Sequence, residues 1–413
     1  MLGIDEYVSL ICDDVTAIPS LKRPTNETLG DVLANDLYAR YPVPPFDNSA
    51  MDGFALRSSD TNTDTDTVEL PVVRDIAAGP TSNEPVTPGC AVRIMTGAAV
   101  PPGVDTVVPV EDTDSSPGVI QCPESVRVPS GLQAGRHIRH RGEDVAQGQL
   151  VANKGATITP ALISAALSVG HGQLEVRRRV KVAIISTGDE LRGPEEELVF
   201  GTIPDSNSAL LAALVSEAGA QVQVVGRCHD DPAAVADFLT QAAGADLLLS
   251  SGGVSAGAFD VMKSFGREHG LSFHKVAMQP GKPQGFGSLC AGENQMKVLM
   301  LPGNPVSVFV SFHLLVKPVL DILAGRAKQW TPLSERLIPA HAGTQWKAAG
   351  KRTQIMPAKV ELRADGLYVY PVHPLGSGSH LVASLHHAQA LAVVPAGAEM
   401  VAEGDAISVL KDH

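Results

Sequence analysis

The stretch KVAIISTGDE, residues 181–190, joins a short apolar run to a loop of glycine and polar residues. The same change recurs in LLLSSGGVS at 247–255, VAMQPGKP at 276–283 and VLMLPGNPVS at 298–307. Ligands bind at the carboxyl ends of strands in open α/β sheets, and glycine lets backbone N–H groups approach an anion closely. Tight turns in an ordinary sheet would explain any one loop. Four such loops, with Asp, Glu, Ser and Lys among them, favour one anion-binding site.

Length and composition restrict the class of protein. The 413 residues exceed what one core can hold and predict roughly two to four domains. Apolar residues make up 44% of the chain, and no uninterrupted apolar run reaches the length of a membrane span. The start of the sequence is acidic, with Asp5 and Glu6, so no signal peptide is expected.

Charge and cysteine content narrow the class further. Five scattered cysteines, none in a Cys-x-x-Cys pair, indicate a reducing compartment and disfavour a disulfide framework or a structural zinc site. The net charge of −13 disfavours nonspecific nucleic-acid binding. We therefore expect a cytoplasmic protein with no membrane insertion and no nucleic-acid partner.

The residue pattern changes several times along the chain and predicts a multidomain α/β protein. Apolar residues between Ile4 and Ala39 recur at helical spacing, and a second helix is expected at 160–169. Short β runs between Pro, Gly, Asp and Thr predict a β module inserted between these helical segments, and similar runs near the end of the chain predict a small β-barrel. The expected units are a helical, elongated domain (1–45 and 137–175), the inserted β-rich domain (46–136), an α/β domain (176–325) and a C-terminal β-barrel (326–413).

Alternating strands and helices in the α/β domain predict crossover connections and a largely parallel sheet covered on both faces. Strands are expected at 182–185, 222–225, 247–249 and 298–301, and helices at 208–218, 232–243, 259–269 and 306–323.

Carboxylates follow several of these strands. Glu190 comes directly after the first strand, and Asp260 lies just beyond the second glycine loop. Asp231 is the natural N-cap of the helix that begins at Pro232, which leaves Asp230 free to point elsewhere. Carboxylates beside loops that suit oxyanions suggest Mg²⁺ between protein and substrate phosphate, and Lys282 adds a point charge for an oxyanion. Because Gly-x-x-x-x-Gly-Lys-Ser/Thr is absent, an ordinary P-loop ATPase is not expected.

Seven strings, in order along nearly the whole chain, resemble the molybdopterin molybdenumtransferase (MoeA) family, which includes the E domain of gephyrin. They are FDNSAMDG (46–53), RIMTG (93–97), RGED (141–144), STGDEL (186–191), SGGVS (251–255), PGKP (280–283) and LPGNPVS (301–307). The resemblance implies an elongated homodimer with a helical dimerisation element and an α/β domain of the molybdopterin-binding type. It also implies that adenylylated molybdopterin (molybdopterin-AMP) and molybdate react, with Mg²⁺, to give molybdenum cofactor and AMP.

The resemblance also implies roles for individual residues, in a site between the α/β domain of one subunit and the β module of the other. Glu190, Asp230 and Asp260 would be acidic catalytic residues that hold Mg²⁺. The partner subunit would supply Asp52, also catalytic, together with Thr96 and Asp144. The remaining substrate-binding positions would be Thr187, Gly188, Ser251, Gly252, Gly253, Ser255, Lys275, Lys282, Pro302, Asn304, Pro305 and Ser307, the last near molybdate.

Three departures from the family pattern bear on anion binding. Gln279 replaces the first lysine of Lys-Pro-Gly-Lys-Pro. The family favours Gly-Glu-x-Asp-Tyr around Asp260, whereas this chain has Gly257-Ala258-Phe259-Asp260-Val261, without the glutamate and the tyrosine. Near the start of the last domain, the family pattern Arg-x-x-Phe-x-Arg becomes RTQIMP, with Pro357 at the position of the second arginine.

Two other hypotheses stay open, the first of them because of these departures. One is a catalytically weakened paralogue that acts as a gephyrin-like dimeric scaffold and binds a peptide of a membrane, cytoskeletal or cell-division partner at the C-terminal domain. The other is a nucleotidyltransferase that adenylylates the pterin itself. A separate molybdopterin adenylyltransferase is a further candidate partner.

Overall fold

The computed structural model describes residues 1–118, 121–229, 231–254, 261–291 and 294–410. The predictions made for Asp230, Ser255, Phe259 and Asp260 therefore lie outside the described residues.

The first forty residues form one short helix followed by short strands. The helix spans Ile4–Cys12, and the expectation of helix through Ala39 is wrong. Leu33 and Leu37 lie on strands instead and pack into a small core with Leu174. Their helix-like spacing arises because separate strands and turns place them on one side of this core. The strands of this unit are Leu21–Pro24, Val32–Leu33, Leu37–Tyr38, Leu150–Ala152 and Gln173–Arg177, and its helix is Pro160–Ser168.

The first helix packs away from the strands that follow it. Its buried side chains Ile4, Tyr7 and Val8 belong to the same core as Val182 and Leu315 of the α/β domain. By packing, the first helix is thus part of the α/β unit.

The inserted β module is built on a five-stranded sheet, as its short β runs predicted. In spatial order its strands are Thr106–Pro109, Gly53–Leu56, Ala91–Ile94, Thr67–Ile76 and Ser125–Pro129. The pair Thr67–Ile76 and Ala91–Ile94 is parallel and the other pairs are antiparallel. A two-stranded link, Asn48–Ser49 with Ile138–Arg139, closes the module where the chain enters and leaves it.

A six-stranded sheet forms the centre of the α/β domain. Four adjacent strands are parallel, which confirms the largely parallel sheet; Pro283–Ala291 is antiparallel to both its neighbours. Val182 and Ile184 face one buried cluster, and Ala183 and Ile185 face the other, so both sheet faces are covered. The spatial order is Gln221–Cys228, Lys181–Thr187, Leu247–Ser251, Asn294–Leu301, Pro283–Ala291 and Ser272–Lys275, and the flanking helices are Asn207–Glu217, Pro232–Gln241 and Val261–Glu268.

The third apolar run, 276–278, is not a strand of this sheet. Val276 forms a bridge with Leu2, and Met278–Gln279 pairs with Thr353 and Gln354 of the last domain. Val276 and Met278 are both fully buried, so their hydrophobic pattern reflects burial between two domains. The third loop is consequently held by the α/β domain and the last domain together.

One long helix crosses the core. It runs from Pro305 to Leu323 as Pro305–Ser311, a π-helical stretch Phe312–Val316 and Lys317–Leu323. By length and composition this helix would be able to span a membrane, but 89% of its most apolar window is buried inside the molecule. Its hydrophobicity is therefore accounted for by its position in the core.

The last domain is a closed five-stranded barrel, which confirms the predicted β-barrel. Going round the barrel, the strands are Thr353–Arg363, Gly366–Pro371, Leu337–Ala342, Ala406–Leu410 and Ala390–Val394, which pairs back to the first. The remaining short pairs are Trp346–Lys347 with Met400–Val401 and Leu191–Arg192 with Ile203–Pro204. Short 3-10 segments are Thr25–Glu27, Ser58–Thr61, Val110–Asp112, Leu333–Arg336 and Val382–His387.

Candidate active site between the sheet and the barrel

A cavity of about 1210 Å³ lies where the four glycine-containing loops meet. The barrel closes one side of it with Arg352 and the segment 377–380. Of the candidate site residues, the structure brings together at this cavity Thr187, Gly188, Glu190, Ser251, Gly252, Gly253, Lys282, Pro302, Asn304, Pro305 and Ser307.

The first two loops touch at Gly252. Its φ of +94° is left-handed, and a Cβ there would lie 2.9 Å from the carbonyl oxygen of Thr187. Only glycine fits this position without displacing the first loop. The close approach of the two loops sets the width of the cleft at this point.

Asn207 fixes the second loop to the fourth. This residue is buried, and its Nδ2 donates to Ser251 Oγ at 2.7 Å and to the Gly303 carbonyl at 2.6 Å. Just before it, Asp205 Oδ1 accepts from the Ser208 backbone N–H at 3.1 Å, as expected of an acidic residue at a helix start. Asp231 caps the next helix in the same way, by accepting from Ala233 N at 3.0 Å.

The third loop is fixed from beneath by Gln284, a fully buried glutamine. Its Nε2 donates to the Gly281 carbonyl at 2.8 Å and to Ser311 Oγ at 2.8 Å. The Lys282 carbonyl accepts from Val276 N at 2.8 Å. The Lys282 side chain takes part in none of these contacts, and Lys282 lines the cavity together with Gln279, Pro280, Gly281 and Pro283.

A second cation reaches the cavity from the barrel. Arg352 lines the cleft and donates a hydrogen bond from Nη2 to Gln279 Oε1. Asn304 Nδ2 also donates to Ser379 Oγ at 3.0 Å, so loop and barrel are joined at a second point. Although Gln279 lacks a charge, the cleft still contains two cations, Lys282 and Arg352.

Sequence reasoning did not assign several residues that line the cavity. They are Asp205, Asn207, Arg352, Ser377, Ser379 and His380. The segment GSGSH at 376–380 has the same glycine and hydroxyl content as the four strand-end loops. That content was the available signal, but it lay in the barrel, where no strand-end site was expected.

Glu190 is the one proposed magnesium ligand within the described residues, because Asp230 and Asp260 lie outside them. In the described part of the chain no group of three or more His, Cys, Asp or Glu side chains converges to hold a metal ion. Magnesium is commonly held by one or two carboxylates together with substrate phosphates and water. An exposed carboxylate at an anion cleft, as Glu190 provides, fits that pattern.

Four other candidates, Lys275, Asp52, Thr96 and Asp144, are not among the residues that line the cavity in this chain. Lys275 is exposed at the end of its strand, and Asp144 is exposed in a turn of the elongated unit. Thr96 donates to Asp52 Oδ1 from its backbone N at 2.6 Å and from Oγ1 at 2.8 Å, and these two bonds lower the pKa of Asp52. Asp52 is therefore held as an exposed, ionised carboxylate on the β module.

Comparison with known proteins identifies relatives along almost the whole chain. Residues 2–170 match the model of the MoeA N-terminal region (domain I and II), residues 183–322 that of a probable molybdopterin binding domain, and residues 339–411 that of the MoeA C-terminal region (domain IV).

Individual relatives agree with these matches. The chain is 41% identical over 350 residues to molybdopterin molybdenumtransferase 2 of Mycobacterium tuberculosis, covering 82% of this chain and 84% of that protein. It is 35% identical over 425 residues to molybdopterin molybdenumtransferase of Synechococcus elongatus, covering 99% of both. A solved MoeA protein from Pyrococcus horikoshii is similar with a TM-score of 0.79 and 27% identity, over 99% of this chain and 98% of that one.

Proposed function

Because the chain belongs to the MoeA family of molybdopterin molybdenumtransferases, we propose that its cleft inserts molybdate into adenylylated molybdopterin and releases AMP. Membership of this family makes the chain a transferase of molybdenum cofactor biosynthesis, with molybdopterin and molybdate as substrates. The observation that supports molybdate insertion with release of AMP is the cleft itself. Four loops and two cations there face one space large enough for both substrates.

We assign molybdate to the end of the cleft beside the barrel. Molybdate is a tetrahedral dianion whose oxygens accept hydrogen bonds. Lys282 and Arg352 supply positive charge there, and Ser307 and Ser377 supply hydroxyl groups. A guanidinium and an ammonium beside one dianion offset its charge in a site partly shielded from water.

The phosphoanhydride of the pterin substrate is assigned to the glycine loops of the α/β domain. Gly252 and Gly253 both have positive φ, at 94° and 76°, which brings the backbone close to a bound anion. Holding the two substrates side by side removes the entropic cost of bringing them together and aligns molybdate with the activated phosphate.

Glu190, with Asp230 and Asp260, would hold Mg²⁺ beside this phosphoanhydride. The ion would supply positive charge to offset the charge on the phosphate oxygens.

The proposed enzyme is a homodimer whose sites are shared between subunits. Asp52, Thr96 and Asp144 are exposed and do not line the cleft of their own chain, so the proposal places the partner's Asp52, Thr96 and Asp144 at the cleft mouth. The proposed units are residues 1–45 with 137–175, 46–136, 176–325 and 326–413, with the first helix packed on the α/β unit. The proposed compartment is the cytoplasm, where a molybdopterin adenylyltransferase would provide the activated substrate.

The contact between Arg352 and Gln279 bears on the scaffold hypothesis. That hypothesis rested on three departures from the family pattern, and for one of them, Gln279, Arg352 brings a cation to the same part of the cleft. A peptide partner at the barrel would then be an addition to catalysis.

The proposal is tested by AMP release from adenylylated molybdopterin with and without molybdate. Release should require molybdate and should fall sharply in Lys282→Ala, while Lys347→Ala, a lysine of the barrel outside the cleft lining, should behave as wild type. A folded protein that releases no AMP at millimolar molybdate would refute molybdate insertion.

A further inference from the structure

Ser377 lies in the wall that the barrel contributes to the cleft, and a buried glutamine stands behind it. Gln354 is 2% exposed, and its Nε2 donates to Ser377 Oγ at 2.9 Å. The same Nε2 donates to the Lys347 carbonyl at 3.2 Å. Both hydrogens of the amide nitrogen are thereby used.

The orientation of this amide is fixed by Trp346. The indole N–H of Trp346, which is also buried, donates to Gln354 Oε1 at 3.2 Å. An indole N–H can only donate, and the Lys347 carbonyl can only accept. The oxygen of the Gln354 amide must therefore face Trp346, and its nitrogen must face Ser377.

This fixed orientation determines what Ser377 offers to the cleft. Its oxygen already accepts from Gln354, so its own hydrogen must be donated elsewhere. Within the described part of the chain the Ser377 hydroxyl has no second hydrogen-bond partner, and Ser377 lines the cavity. Its O–H is thus available to an acceptor in the cleft.

The same reasoning applies to Gln279, which lies on the strand that pairs with the strand of Gln354. Gln279 and Gln354 are register partners, and Arg352, which can only donate, holds Gln279 Oε1. The amide nitrogen of Gln279 is then left to face the cleft as a donor. Trp346 and Arg352 can only donate hydrogen bonds. Trp346, through Gln354, leaves the Ser377 hydroxyl as a donor, and Arg352 leaves the Gln279 amide nitrogen as a donor.

We propose that Trp346 and Gln354 are positioning residues, which hold the Ser377 hydroxyl as a hydrogen-bond donor to the oxyanion in the cleft. The inference rests on the proposed function, because it takes molybdate as that oxyanion. It assigns a role to two buried barrel residues that touch no substrate. A buried amide is costly unless its donors and acceptor are all paired, and here each is paired in the one orientation that leaves Ser377 a donor.

The test is a double-mutant cycle on Gln354→Glu and Ser377→Ala, with molybdate binding measured by calorimetry on the full-length protein. Glutamate has the shape of glutamine but no N–H, so the Ser377 hydroxyl would donate to it and turn its lone pairs towards the ligand. Each single variant should weaken the Kd for molybdate by about 10-fold to 100-fold, the range for one hydrogen bond to a charged group. The double variant should match Ser377→Ala within about twofold.

Several controls distinguish this hydrogen-bond relay, which runs from Trp346 and Gln354 through Ser377 to the oxyanion, from a general structural defect. Gln389→Glu, an exposed glutamine of the same barrel whose side-chain oxygen accepts from Val360 N, should bind molybdate as wild type does. The Kd for AMP should be unchanged in every variant, whereas general distortion of the cleft would raise both constants. Gln354→Met repeats the test without a buried charge should Gln354→Glu fail to fold, and it should also weaken molybdate binding.

Three results would overturn the inference. If wild type binds molybdate and both single variants bind it equally well, the relay is refuted and the proposed function stands. If Gln354→Glu weakens the Kd for molybdate by the same factor with and without the Ser377 hydroxyl, the glutamate charge acts directly on the ligand and the relay is again refuted. If wild type binds no molybdate at all, the proposed function and the inference fail together.

Discussion

Replacing Arg352 by methionine should weaken molybdate binding strongly while leaving the barrel folded. Arg352 is half-buried at the cleft wall and is held there by its hydrogen bond to Gln279 Oε1. Methionine keeps much of the length and volume of the side chain but removes the charge and the N–H donors. It also frees the Gln279 oxygen, which can then turn towards the anion and repel it.

The magnitude follows from the contacts that are lost. One hydrogen bond between charged partners contributes about 1.5–3 kcal/mol, and about 1.4 kcal/mol corresponds to a tenfold change in Kd. The expected weakening is therefore about 10-fold to 100-fold. Arg352→Lys should fall between methionine and wild type, because lysine keeps the charge but loses the planar fork of donors.

Calorimetric titration with molybdate measures this effect directly. The matched control is Arg363→Met, since Arg363 belongs to the same barrel but is exposed and paired with Glu361 away from the cleft. Binding should be unchanged in the control, and thermal unfolding of all variants should coincide. An Arg352→Met protein that is folded and binds molybdate as tightly as wild type would refute the assignment of molybdate to the barrel side of the cleft.

Three further predictions concern the shared site, the loop geometry and the pH response. Mixing equal amounts of inactive Lys282→Ala and Asp52→Ala subunits should restore about a quarter of wild-type turnover, since half the dimers then contain one intact shared site. No recovery of turnover after subunit exchange would refute a site shared between subunits. Gly252→Ala should lose clearly more unfolding free energy than the control Gly404→Ala. Gly404 also has a positive φ, 86°, but a Cβ added there meets open space, so only Gly252→Ala combines backbone strain with a steric clash. Equal losses in chemical denaturation would contradict the close approach of the loops. The hydrogen bonds from Thr96 lower the pKa of Asp52. Their contribution to stability should therefore be present above the unfolded-state pKa of about 4 and be lost as pH falls through the lower folded-state pKa. A difference in unfolding free energy between wild type and Asp52→Asn that stays constant down to pH 2 would contradict this.

The strand-end loops were predictable because, in an α/β sheet, an apolar run followed by glycine and polar residues indicates a buried strand and the loop at its carboxyl end. The sequence KVAIISTGDE marks both a buried parallel strand and the loop that follows it. The third run, VAMQPGKP, shows where this inference fails. Val276 and Met278 are apolar because they are buried between domains, and a local pattern does not distinguish that burial from burial inside a sheet.

The barrel wall of the cleft could not be predicted, because its contacts join residues far apart in sequence. Arg352 meets Gln279 across 73 positions, and Asn304 meets Ser379 across 75. Read as isolated positions, Gln279 and the sequence after Arg352 indicated a weakened anion site. Placed side by side in the fold, they form a polar pair in which the arginine supplies the charge.

The first helix illustrates a different limit. Apolar residues from Leu29 to Leu37 have helical spacing, yet Leu29 lies in a turn and Val32, Leu33 and Leu37 lie on short strands after the helix ends at Cys12. Pro19, Pro24 and Gly30 interrupt the chain between them and favour turns over a continuous helix. Tertiary packing against Leu174 and Val176 then determines the strand conformation.

The central claim is that this cleft transfers molybdenum to the pterin at the expense of the adenylate. The most direct measurement is a single-turnover reaction in which AMP released and molybdenum bound to the pterin product are both quantified. We expect equal amounts of the two, appearing together and only when molybdate is added. Release of AMP without molybdenum in the product, or no release by the folded protein, would contradict this claim.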